Sequence, residues 1–163
     1  KGRIKMSIEK AREHLKKWGR SDDILEFKTS SATVELAAKA LDVEPARIAK
    51  TISLKNGEGA LLVVAAGDTK IDNGKVKREF GFKAKMLSPD EVFAYTGHEI
   101  GGVCPFGLPE NIPVYLDLSL KRFETVYPAC GSSNSAIRLT CEELDKYSSN
   151  QKWVDVCKGW SEV

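Results

Sequence analysis

Two histidines and four cysteines are all that this 163-residue chain offers a soft metal ion. Cys104, Cys130, Cys141 and Cys157 never fall at Cys-x-x-Cys spacing, so the pattern argues against a zinc site, and no metal or cofactor is expected. A chain of this length builds its own core and needs no disulfide, which points to reduced thiols in a cytoplasmic protein. No apolar run reaches the length of a membrane span or a signal segment, so no membrane partner is expected. Gly-x-Ser-x-Gly is absent, as is Gly-x-x-x-x-Gly-Lys-Ser/Thr, which removes a serine-hydrolase elbow and a phosphate-binding P-loop. Charge of one sign is also lacking. A net charge of +2 excludes a strongly basic nucleic-acid arm, though Lys70, Lys75, Lys77, Arg78, Lys83 and Lys85 form a local basic stretch that reads equally as a solvated helix face. There is no repeat, low-complexity stretch or linker, so residues 1–163 read as one domain. The opening Lys1-Gly2-Arg3 has no methionine and reads as a trimmed start.

What is present alternates between helix and strand signals. Ile8, Ala11, Leu15 and Trp18 make one helical stripe, with Ser7 as its expected N-cap and Gly19 as its end. Residues 24–27 read as a short strand and 33–41 as a second helix. Pro45 opens a short helix ending near Lys50. Residues 51–55 and 60–66 are strands joined through Asn56-Gly57-Glu58-Gly59, a hairpin signal. The second of these is apolar throughout, as in a strand covered on both faces. Asp72 caps a helix that Gly81 stops. Residues 82–87 read as another strand, and Ser88-Pro89-Asp90-Glu91 is a capping box. Strands are expected at 113–117, 124–127 and 135–139, then a second capping box at Thr140-Cys141-Glu142-Glu143, then a weak strand at 152–157. The sum is a mixed α+β domain, a central sheet or barrel flanked by helices.

Residues 96–107, Thr96-Gly97-His98-Glu99-Ile100-Gly101-Gly102-Val103-Cys104-Pro105-Phe106-Gly107, pack four glycines, a proline and a histidine into twelve positions. Such a loop lets backbone N–H groups approach a ligand with no Cβ in the way, although glycine pairs also serve ordinary turns. The wording Gly-His-x-x-Gly-Gly-Val-x-Pro-Phe-Gly resembles the signature loop of the YbaK/prolyl-tRNA synthetase editing-domain family. The resemblance extends from about Phe27 to Tyr147. Thr33-Val34-Glu35-Leu36-Ala37-Ala38 looks like the family's helix start, and Ile48-Ala49-Lys50-Thr51-Ile52 its Ile-x-Lys-Thr-Leu segment. Ala65-Ala66-Gly67-Asp68, Pro113-Val114-Tyr115-Leu116-Asp117 and Ala129-Cys130-Gly131-Ser132 complete the order.

The resemblance implies a mixed β-barrel flanked by helices and a free-standing hydrolase that removes wrongly attached amino acids from tRNA. The expected substrate is tRNA-Pro carrying a small residue, held by its aminoacylated 3′ end, with association with a synthetase as a further implication. It places Lys50 in the active site, where an ammonium holds a phosphate, a carbonyl or the terminal adenosine, and Gly101 and Gly102 at the ester as backbone donors. Thr51, His98, Gly131, Ser132 and Ser133 are carried over as substrate contacts. Residue chemistry leaves other roles open for several of these. Lys50 is also what a surface lysine lying along the core looks like. Thr51 needs no purpose beyond its β-branch. His98 invites a general-base role, but no acidic orienter is fixed by spacing. Serine and asparagine in 131–135 cap local turns as readily as they bind, and this loop departs from members with Gly-Lys-Arg or a histidine there. Asp117 reads as a cap and Cys104 as a small buried residue rather than a nucleophile. A non-catalytic binding module for a small amino acid or nucleotide, and a hydrolase of another acyl ester, are the rival readings.

Overall fold

The computed structural model describes residues 2–161; Lys1, on which part of the reading of the start rests, lies outside them. In chain order the elements are α1 (Gly2–Lys16), β1 (Leu25–Glu26), α2 (Val34–Leu41), β2 (Ile48–Asn56), β3 (Gly59–Ala66), β4 (Lys70–Ile71), α3 (Asn73–Phe80), α4 (Pro89–Thr96), β5 (Val114–Asp117), β6 (Thr125–Pro128), β7 (Ser135–Ala136), β8 (Leu139–Thr140), α5 (Cys141–Tyr147), β9 (Trp153–Val154) and β10 (Cys157–Lys158). A six-stranded sheet in the order β8-β6-β2-β3-β5-β9 curls into a half-barrel, and β1–β7 and β4–β10 form two small antiparallel ribbons beside it. The expected α+β architecture is what is found. No helix among the described residues is long and apolar enough to cross a membrane.

The β2–β3 hairpin is the spine, in register from Ala49↔Ala66 to Asn56↔Gly59. β6 and β5 add in parallel on its two sides. The unbroken apolar run of β3 follows from its position. Leu62, Val64 and Ala66 face one hydrophobic cluster, with Phe106, Leu116 and Leu139. Leu61, Val63 and Ala65 face the other, with Val76 and Val154. Alternate side chains of one strand thus seal two cores. The capping signals hold as well. Asp72 accepts from Lys75 N, Gly81 ends α3 at φ +81°, and both Ser88 and Thr140 make complete capping boxes.

Several local expectations change. The single strands expected at 135–139 and 152–157 are each two short strands that join different sheets, β7 and β8, β9 and β10. α1 begins at Gly2, so Ser7 lies inside the helix, buried, and cannot cap it. The turn opened by Pro45 ends at Arg47, which makes Lys50 the third residue of β2 rather than a helix–strand junction. Residues 82–87 form no strand. They touch β2 only through the Leu54↔Met86 bridge, with Lys55 N donating to Lys85 O at 2.8 Å and Leu87 N to Ser53 O at 3.3 Å. Since β6 pairs with β2 only at Ile48 and Ala49, the edge of β2 between those contacts and Ser53 has no neighbouring strand.

Candidate functional site

That gap in the sheet opens into a cavity of about 280 Å³. Its floor is Lys50 and Thr51 of β2, and its walls come from Ser31–Ala32 before α2, Met86–Leu87, Ile100–Gly101 and Ser135–Ala136. Of the predicted site residues, Lys50 and Thr51 line it together with Gly101, which is distant from them in sequence. Lys50 is the only charged lining residue among those described.

Lys50 is half-buried, and its Nζ donates to the Thr69 carbonyl. Burial lowers its pKa; the acidic neighbours Asp68 and Glu35, together with Cys157, oppose that without cancelling it. An ammonium has three N–H donors, so one bond to Thr69 leaves two for a ligand. Thr51 Oγ1 is buried and is the one side-chain polar atom of that kind without a hydrogen-bond partner among the described residues. On the outer edge of β2 its main chain has no ladder partner among the described residues. Ser53 O and Lys55 N point away from β3 to reach Leu87 and Lys85. The two-residue period of a strand puts the Thr51 N–H and C=O on that same side, where the β6 ladder has already ended.

The signature loop divides into one residue at the cavity and a set that builds its frame. Gly101 has φ +92°, and a Cβ there would stand 3.2 Å from Ala32 Cβ at the cavity wall. Gly102 differs from the expectation of a free donor. Its N–H bonds Glu99 O at 3.0 Å, and a Cβ would lie 2.7 Å from the Ser132 backbone. It is a glycine because another main chain presses on it. Gly131 is alike: φ +91°, with a Cβ 2.4 Å from Ser7 O, so it seats the second loop on α1. Ser132 Oγ is spent inside its loop, on Asn134 Oδ1 at 2.9 Å and Ser135 Oγ at 2.7 Å. Ser133 acts through its carbonyl, which accepts from Ser31 N at 2.6 Å. None of Gly102, Gly131, Ser132 and Ser133 lines the cavity.

His98 is fully buried away from the cavity. Its Nε2–H donates to Phe106 O at 2.7 Å, and Nδ1 accepts from the Ser7 hydroxyl, an arrangement of the neutral ring assigned from its partners. Desolvation pulls its pKa down to about 4. This is a clamp between α1 and the loop rather than a substrate contact or base, and it accounts for the burial of Ser7. His14 does the same further along, accepting from Gly107 N at 3.1 Å and donating to Tyr147 O at 2.6 Å. The signal was present in the sequence only as a serine misplaced on an apolar helix stripe. Because unfolded His98 takes up a proton near pH 6.5 and folded His98 does so only near 4, stability falls as pH drops through that window, by roughly 3 kcal/mol in all. Urea melts at pH 7, 6 and 5 measure it, and His98→Gln is expected to flatten the dependence above pH 5.

Cys104 is fully buried, and burial pushes its thiol up to about 12, so it is not a thiolate at neutral pH. No group of three or more metal-ligating side chains is assembled among the described residues. Hydrolysis is therefore expected to survive both a chelator and Cys104→Ala; complete loss with a chelator, restored by zinc, contradicts this. In the basic stretch, Lys75 is taken up by Asp155 at 2.9 Å and by Cys157 O at 3.0 Å. Lys70, Lys77, Arg78, Lys83 and Lys85 are exposed, and Lys85 adjoins Met86 at the cavity lip. That lip escaped the sequence reading: Met86 and Ile100 are 60% and 59% exposed, and no local pattern marks an apolar residue that stays in water.

Comparison with known proteins supplies the chemical context. The aminoacyl-tRNA editing domain family matches residues 29–147. YwhH of Bacillus subtilis (strain 168), an uncharacterised protein, is 58% identical over 156 residues, covering 95% of this chain and 99% of its own. The candidate Cys-tRNA(Pro)/Cys-tRNA(Cys) deacylase EbsC of Enterococcus faecalis is 27% identical over 121 residues, 73% of this chain and 74% of its own. A crystal structure of a candidate trans-editing enzyme for prolyl-tRNA synthetase matches with a TM-score of 0.84 at 30% identity, covering 94% of this chain and 98% of that one.

Proposed function

Because this chain belongs to the aminoacyl-tRNA editing domain family, whose members are aminoacyl-tRNA deacylases, we propose that it acts in trans to clear tRNA-Pro of small amino acids attached by mistake. The observation that carries the reading is the meeting of Lys50, Thr51 and Gly101 in one cavity with a single cation and otherwise mostly apolar walls. A cavity of about 280 Å³ suits a small aminoacyl group with its ribose rather than a bulky side chain. Lys50 presents its remaining N–H donors to the ester or the adjoining phosphate. Gly101 lines the same space, and its N–H, for which no backbone partner is found among the described residues, is the donor this reading assigns to the ester.

In this reading a water oxygen adds to the ester carbon and the carbonyl electron pair moves onto oxygen. Collapse breaks the carbon–oxygen bond to the ribose, and the departing oxygen takes the proton that the water gave up. No covalent enzyme intermediate arises, as the buried protonated Cys104 cannot attack. In this reading the exposed cations of residues 70–85, of which Lys85 adjoins the lip residue Met86, hold the acceptor end by its phosphates, in the cytoplasm where charged tRNA and its synthetase are found. Salt separates this from hydrolysis of a small acyl ester. KM for a mischarged tRNA-Pro is expected to rise at least about tenfold between about 50 and 200 mM salt, while cleavage of a free aminoacyl ester stays nearly flat. Equal, flat responses contradict the tRNA substrate.

A further inference from the structure

With the Gly102 N–H already donated to Glu99 O, Gly101 is the only glycine of the signature pair left as a donor to the oxygen that becomes negative during hydrolysis, and Thr51 stands on the same cavity. Building on the deacylase reading, we propose that Thr51 is a catalytic residue that supplies both: its main-chain N–H and its hydroxyl together hold the developing oxyanion of the ester.

The two observations behind this are independent. First, the ladder on the outer side of β2 stops at Ala49 and resumes only at Ser53, so the Thr51 N–H points into the cavity with no strand to meet it. An unpaired N–H beside a pocket is rare, since buried main-chain donors are nearly always bonded. Second, Thr51 Oγ1 is buried without a partner in a cavity whose lining includes Ala49, Leu87, Val103, Ala129 and Ala136, while the Ser31, Thr33 and Ser135 hydroxyls that also line it are bonded elsewhere in the fold. An isolated hydroxyl in such walls costs stability unless a ligand completes it. Both groups belong to one rigid strand residue, next to Lys50, and both are donors. Preorganised donors of this kind need no rearrangement as charge forms, and removing one typically slows an acyl-transfer enzyme by a factor of roughly 100 to 1,000. A small polar residue that only fills space or bonds its own fold leaves no such pair open.

The test uses the full chain and asks for two responses that a structural threonine does not give together. Thr51→Val keeps the shape and removes the hydroxyl. It is expected to lower single-turnover deacylation of the best-cleaved mischarged tRNA-Pro at least about tenfold, with KM changed less than about twofold. The same variant is expected to raise Tm by roughly 2–4 °C, because a partnerless buried hydroxyl has become a methyl. Thr51→Ser keeps the donor and is expected to stay within about threefold of the native rate. A main-chain ester at position 51 on the Thr51→Val background removes the N–H as well, breaks no ladder bond, and is expected to cost at least a further tenfold or so. Unchanged cleavage by Thr51→Val overturns the proposal, as does lost activity accompanied by a lowered Tm, which marks the hydroxyl as structural. If the native protein cleaves no mischarged tRNA, the deacylase reading fails first and this assignment with it.

Discussion

Lys50→Ala is expected to lower deacylation at least about tenfold, which is 1.4 kcal/mol of lost transition-state stabilisation, without unfolding the protein. Lys50 is the single cation of the cavity among the described residues, and its ammonium is held in place by the Thr69 carbonyl. In the proposed reading, removing it takes away the fixed positive charge offered to a phosphate or oxyanion. Its packing role is small. Burial already disfavours the charged form, as the lowered pKa records, so alanine relieves a desolvation cost while it gives up one bond. Lys50→Arg is not expected to restore the rate, since a planar guanidinium cannot take the place of a compact ammonium bonded to one carbonyl. The charged form also sets a pH limit. Because the pKa in the fold is lowered, activity that needs the ammonium is lost, as pH rises, earlier than for an ordinary lysine. Native rates for Lys50→Ala on the best native substrate contradict its role.

Gly102→Val is expected to fail for a different reason, by loss of fold. The added Cβ meets three backbone atoms of Ser132 at 2.7, 2.7 and 2.8 Å, and a main chain held by its own hydrogen bonds does not yield as a flexible side chain does. The cost is at least about 3 kcal/mol, a large part of the stability of an ordinary domain. Tm is expected to drop by roughly 6–12 °C. The loss of activity then follows the loss of structure, in contrast to Lys50→Ala, where structure stays. A Gly102→Val protein with the native Tm and no activity restores the glycine to a direct role at the ester.

Those two residues show what the sequence makes legible. Lys50 was identified from its motif, and it does line the cavity; local signals such as the two capping boxes, the Asp72 cap and the hairpin turn also appear where expected, because each is decided within four or five residues. Glycines are harder. A glycine that lets a ligand approach and one that lets a second backbone approach are the same letter, and only the positions of Ser132 and Ser7 separate Gly102 and Gly131 from Gly101. His98 misleads in the same way. A histidine in a glycine loop reads as chemistry until the Ser7 hydroxyl, 91 residues away, is found on its ring. The gap beside Thr51 has no sequence mark at all. β2 reads the same whether or not a strand lies along its edge, and where β6 stops is settled by its turn to Ala129 and the Ala129↔Ala136 bridge.

In the proposed function, the Lys50–Thr51–Gly101 cavity hydrolyses the ester of mischarged tRNA-Pro. Single-turnover deacylation of tRNA-Pro carrying alanine, serine, cysteine or proline, with excess native protein and with Lys50→Ala in parallel, tests it most directly. At least one of the small non-cognate residues is expected to be released at least about tenfold faster than proline, and that excess is expected to be lost with Lys50→Ala. Release of none of them above the uncatalysed rate, or equal release by the native protein and Lys50→Ala, contradicts it.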